Sequence, residues 1–197
     1  MFCFAAFALF LYRRSPAIAW PESLGVIALF GAAMATKENT VVLPAVLLLT
    51  DYFWNPGFRF TGIARNWRLY GLMAAGSAIG VVKVIQVLAA AGSAGFRVAG
   101  LPWYAYLFTE CRVFFTYLRL FVFPAGQTID YDYPISQTIL EHGAIVGLIA
   151  ILALLGAAIY YRKRYPLACY GFLVFVILLA PTSSIIPIKD PIAERRI

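Results

Sequence analysis

Charge is what this sequence has least of. Charged residues make up 13% of its 197 positions, against about 25% in an ordinary soluble domain, while 62% are hydrophobic and the mean hydropathy is +0.82. Such a composition predicts an integral membrane protein. Histidine occurs once, as His142 beside Glu141 at the head of an apolar run, where it reads as an interfacial polar residue; acid–base chemistry must therefore rest on carboxylates. Cysteine occurs three times, at Cys3, Cys111 and Cys169, without paired spacing, which leaves no zinc or haem signature. No glycine-rich phosphate loop, Ser-His-Asp set, internal repeat or low-complexity tract is present, so residues 1–197 read as a single membrane domain.

What is abundant is long apolar sequence. A membrane span needs about 20 such residues, and residues 69–91 and 143–161 meet that length outright. Residues 23–36, 40–54 and 167–181 are shorter, but each can borrow a turn from its flanks. Residues 1–12 end in Arg13 and Arg14; a signal peptide carries its basic residues before the apolar run, so this stretch reads as the end of a helix, and the chain as a fragment. The fold class expected is all-α, a multi-pass transmembrane helical bundle.

Arginine and lysine in short loops mark the cytoplasmic side. Arg13 and Arg14, then Arg59, Arg65 and Arg68, then Arg162, Lys163 and Arg164 form three basic loops. Placing them inside puts residues 36–39, 92–103 and the tail from Thr182 outside. Residues 104–123 fit only if they lie along the outer interface or dip in and return, because a full crossing would carry Arg162–Arg164 outside. Glu110, Arg112 and Arg119 interrupt that segment, and a charge at the bilayer centre costs at least about 2.5 kcal/mol. It is expected as one juxtamembrane or re-entrant helix; the rival is a full span with its charges in a protein-lined cavity. Lys83, near the middle of a predicted span, is either a partnered functional group or a snorkelling side chain. The net charge of +7 follows mostly from the basic loops and implies no nucleic acid.

Three polar stretches collect on the outer face: "TKEN" at 36–39, "FPAGQTIDYDYPIS" at 123–136, and "SSIIPIKDPIAERRI" at 183–197. Taken with the apolar runs they flank, "TKENTVVLPAVLLLTDYFW", "YLRLFVFPAGQTIDYDYPIS" and "PTSSIIPIKDPIAERRI" resemble, in order and spacing, the membrane half of bacterial and eukaryotic transmembrane proteins with C-terminal tetratricopeptide repeats. Those proteins belong to the GT-C superfamily of polyprenyl-phosphate-dependent glycosyltransferases, which includes the protein O-mannosyltransferases. The family's last motif runs Glu-His-Arg and then an aromatic-leucine-proline stretch; here Glu194 is followed by Arg195, Arg196 and Ile197, so the match is partial.

The resemblance implies transfer of a sugar from a polyprenyl-phosphate donor to a protein or glycan hydroxyl, at the periplasmic or extracytoplasmic face of the cytoplasmic membrane. Lys37, just ahead of an apolar helix, would be a point charge for the lipid phosphate, with Glu38 orienting it; the plain alternative is a helix start with Glu38 in the first turn, where the dipole favours negative charge. Arg112 and Arg119, seven apart, share a helical face and with Arg196 would complete a phosphate clamp, although Arg119 can equally snorkel to headgroups. Asp130 and Asp132 project to one face of an extended segment. They would hold a divalent cation, manganese or magnesium, or bind sugar or acceptor hydroxyls with Tyr131 and Tyr133 as a stacking platform and Glu194 beside them; an ordinary solvated turn is the third reading. GT-C enzymes carry their catalytic acid on the first outer loop, which this chain does not show, so the base is expected on sequence preceding residue 1. The alternative from a different class is a solute transporter or a non-catalytic membrane scaffold.

Overall fold

A computed structural model describes residues 1–12, 17–36, 38–90, 102–126 and 134–180, with the backbone alone at 38, 39, 81, 83–85 and 87–90. Every regular element among the described residues is helical: α1 Phe2–Leu11, α2 Trp20–Thr36, α3 Leu43–Trp54, α4 Thr61–Arg65, α5 Trp67–Ala90, α6 Trp103–Val122, α7 Ala144–Tyr161 and α8 Pro166–Leu179. Short 3₁₀ turns precede α3 at Glu38–Val42 and α7 at Glu141–Gly143.

Proline sets several of the boundaries. Pro44 opens α3 and Pro166 opens α8, positions where the missing N–H has no helical partner to lose. Pro56 and Pro124 follow the ends of α3 and α6 and force the residues before them, Asn55 (φ −77°, ψ 138°) and Phe123 (φ −130°, ψ 91°), into extended backbone. α2 begins three residues ahead of the expected run because Glu22 Oε2 accepts the Ala19 N–H at 3.0 Å and satisfies an orphan amide of the first turn.

The chain divides into two compact units, one of residues 1–91 with 162–178, the other of 92–161 with 179–197. In the first, α1, α2, α3 and α5 enclose a core of Ala6, Phe10, Val26, Phe30, Leu47 and Met73. Ser23, Val26, Phe30 and Ala33 are the buried residues of α2, a single stripe at helical spacing. In the second unit α6 packs on α7, and Tyr106, Thr109, Glu110, Val113, Tyr117 and Leu120 are buried along one side of α6. Gly147 of α7 is the point of closest approach: a Cβ there would stand 2.6 Å from the Cys111 carbonyl oxygen, so only glycine lets the backbones meet.

The fold class is all-α, as expected. One helix among the described residues, Glu141–Tyr161, is long and apolar enough to cross a membrane; its 21 residues rise about 32 Å, against a hydrocarbon core of ~30 Å. Phe2–Leu11, Thr40–Trp54 and Pro166–Leu179 are apolar but shorter. α5 is 24 residues long and carries Lys83, whose side chain lies outside the described residues. α6 is one unbroken helix of 20 residues, so the expected dip and return does not occur within Trp103–Val122.

Candidate functional site

Lys37, Asp130, Tyr131, Asp132, Tyr133, Glu194 and Arg196 lie outside the described residues, and of Glu38 the backbone alone is described, in the 3₁₀ turn ahead of α3. The described members of the expected site are Arg112 and Arg119. They differ in setting. Arg119 is exposed in the last turn of α6, beside Phe121, Val122 and Phe123, which are also exposed; a cation there complements the helix dipole.

Arg112 is half-buried, and its guanidinium is engaged with the chain. Nη1 donates to the Pro134 carbonyl at 2.9 Å and to Ser136 Oγ at 3.1 Å. One turn earlier, Thr109 Oγ1 accepts the Ser136 N–H at 3.0 Å while donating its own proton to the Ala105 carbonyl at 2.8 Å. Thr109 and Arg112 thus form a polar row on α6 that grips Pro134–Ser136, the segment directly following Asp130–Tyr133 in sequence. Between them Glu110 is 3% exposed and Ser136 fully buried. Thr109 and Ser136 are not among the residues the sequence points to, and Glu110 is legible there only as a charge interrupting an apolar segment. The signal for Thr109 and Glu110 is helical spacing from the apolar Tyr106, Val113, Tyr117 and Leu120, with which they share the buried side of α6.

Past the grip, Glu141 Oε2 accepts the N–H of Gln137 at 2.6 Å and of Thr138 at 3.3 Å, closing the turn that leads into α7. His142 follows in the left-handed region (φ 52°) and is exposed.

The first unit carries a second polar cluster that sequence reading missed. Asp51, on the last turn of α3, is 4% exposed. Its Oδ2 accepts from Tyr70 Oη at 2.8 Å and from Asn66 Nδ2 at 3.2 Å. Asn66 Oδ1 in turn accepts the Ile18 N–H at 3.0 Å, and Arg65 Nη2 donates to Asn55 Oδ1 at 3.0 Å. Gly62 abuts the Asp51 carboxylate so closely that a Cβ would overlap it. On the other side of α3, the Thr50 and Tyr170 hydroxyls share a hydrogen bond of 2.9 Å, and the Tyr170 ring stands edge-on to Trp54 at 4.9 Å. These bonds gather residues 17–20, the end of α3, the start of α5 and the start of α8 at one end of the unit. Arg59, Arg65 and Arg68 therefore lie at the same end as Arg162, Lys163 and Arg164.

Among the described residues no group of three or more His, Cys, Asp or Glu side chains comes together as a metal site would require; Asp130 and Asp132 are outside the described residues. No family model matches the chain, and no curated protein or solved structure matches it.

Proposed function

We propose that the chain is the donor-binding part of a multi-pass membrane glycosyltransferase that moves a sugar from a polyprenyl phosphate to a protein or glycan hydroxyl. The observation that carries the reading is the polar row on α6. Arg112, the candidate phosphate ligand, is bonded to Pro134 and Ser136, which directly follow the candidate sugar- or acceptor-binding residues Asp130–Tyr133 in the chain. A single helix face thereby carries a cation and fixes Pro134–Ser136, the kind of coupling a donor site needs if phosphate and sugar are to be held in one geometry.

Chemically, the acceptor oxygen attacks the anomeric carbon, the bond from that carbon to the phosphate oxygen breaks with inversion, and the lipid phosphate leaves with the electron pair. Lys37, Arg112, Arg119 and Arg196 neutralise the departing charge; charge-assisted bonds of this kind are the strong ones. A lipid-phosphate donor carries a single phosphate that arginine can neutralise without a metal, so in this reading Asp130 and Asp132 bind hydroxyls, together with Tyr131, Tyr133 and Glu194. The acceptor proton goes to a carboxylate base that is not among these residues.

The test is donor binding by the protein, measured by titration with a polyprenyl-phosphate hexose. Arg112→Met and Lys37→Met should each weaken binding by about 1.5–3 kcal/mol, the scale of a charged hydrogen bond, with Arg112→Lys recovering part of the loss. Donor affinity unchanged in both methionine variants rejects the proposal.

A further inference from the structure

The surface of the first unit is graded towards one end. Its tryptophans, Trp20, Trp54 and Trp67, are 52%, 59% and 64% exposed, and they occupy the first residue of α2, the last of α3 and the first of α5. All three therefore stand at the end gathered by Asp51, Asn66 and Tyr70. Phe60 and Tyr165 are exposed there with them.

Cations are set among these rings. The Arg68 guanidinium lies 5.1 Å from the Trp20 ring centre and 5.6 Å from that of Trp67, and Arg164 lies 5.5 Å from Tyr165. A guanidinium over an aromatic face is oriented and partly desolvated by the ring while its edge stays available to an anion. Arg59 and Lys163 add charge nearby. The carboxylates at this end are turned to other work: Asp51 is buried beneath Tyr70 and Asn66, and Glu22 accepts the Ala19 amide.

We infer that this collar of Trp20, Trp54 and Trp67 with Arg68 and Arg164 is a docking surface for anionic phospholipid headgroups. Two features select a lipid over a soluble anion. Indole and phenol rings favour the boundary between hydrocarbon and water, and the collar caps helices whose flanks present exposed Leu24, Leu72 and Leu167. A headgroup whose acyl chains run along those flanks uses the rings, the leucines and the arginines together; a free phosphate uses the arginines alone. The inference rests on the membrane-embedded reading above but not on sugar transfer.

Fluorescence quenching in lipid nanodiscs tests it, using the full chain with Trp103→Phe so that emission comes from the three collar tryptophans. Brominated phosphatidylglycerol should outcompete brominated phosphatidylcholine for the collar by at least about fivefold at low salt, the contribution of one cation near an anionic surface. The preference should fall at least about fivefold in the Arg68→Gln, Arg164→Gln double variant and persist in Arg68→Lys, Arg164→Lys, with helix content checked by circular dichroism in each. Equal quenching by the two lipids in the parent, or a preference kept by the glutamine variant, overturns the inference and leaves the donor-site proposal standing. Absence of quenching by either lipid overturns it together with the membrane reading, whereas a failure to bind the sugar donor bears on the donor site alone.

Discussion

The two units of this protein bury polar side chains to different ends. In the first, Asp51, Asn66 and Tyr70 close on one another and on the Ile18 amide, joining chain segments up to 48 residues apart and leaving the aromatic and basic residues around them to face outward. In the second, Thr109 and Arg112 reach from a helix to Pro134 and Ser136, the residues that follow the acidic candidates in sequence. A closed polar cluster stabilises the place where helices converge; a polar row on one helix fixes a chain segment distant in sequence.

That contrast breaks most readily at Asp51. Replacing it with alanine leaves the Asn66 amide without its carboxylate acceptor and the Tyr70 hydroxyl to the Leu47 carbonyl at 3.3 Å, which should cost about 3 kcal/mol in unfolding experiments in detergent; Tyr70→Phe, which removes one donor, should cost about half as much. Donor affinity should stay at the parent value in the folded Tyr70→Phe variant. A large loss of donor affinity there would mean that the first cluster is not purely structural.

The second unit should yield next, at the contact between α6 and α7. Gly147→Ala places a methyl against the Cys111 backbone carbonyl, which cannot rotate away, and overpacking of this kind costs about 2 kcal/mol. Cross-linking between cysteines placed on the two helices should fall in parallel; an unchanged unfolding midpoint would show that the helices separate at little cost.

A smaller effect sharpens the role of the polar row. Ser136→Ala deletes one acceptor of Arg112 but keeps the backbone amide that Thr109 receives, so stability should drop by about 1 kcal/mol while the cation of Arg112 remains. Donor affinity should change far less than in Arg112→Met. Equal losses in the two variants would make Arg112 a loop clamp and nothing more.

The smallest change is expected at Glu141, on the surface. Glu141→Ala removes the acceptor of the Gln137 and Thr138 amides, and hydrogen exchange at those two positions should accelerate without a shift of the global midpoint. If exchange there is unaltered, the turn into α7 is held by its backbone.

Much of the helical order is legible in the amino-acid order alone. Runs expected at 1–12, 69–91, 104–123 and 143–161 appear as Phe2–Leu11, Trp67–Ala90, Trp103–Val122 and Ala144–Tyr161, because apolar length and proline punctuation act locally. The run expected at 40–54 splits into a 3₁₀ turn and α3, since Pro44 accepts a helix start but cannot sit inside one. Arg112 is legible as a charge in an apolar helix. Its partner Ser136 is not, because 24 residues separate them and nothing in the intervening composition states where the loop returns.

By itself, then, the sequence determined an all-helical chain, roughly where most of its helices run, and where basic residues cluster along it. Each of these depends on a residue and its near neighbours: the 3.6-residue period, the proline ring, a charge beside an apolar run. Only the tertiary structure decided that Asp51 would meet Asn66 and Tyr70, that Thr50 would meet Tyr170 across 120 residues, and that Thr109 and Arg112 would share Ser136. A buried donor or acceptor must find a partner somewhere, but which partner depends on how the helices cross, and no local pattern encodes that crossing.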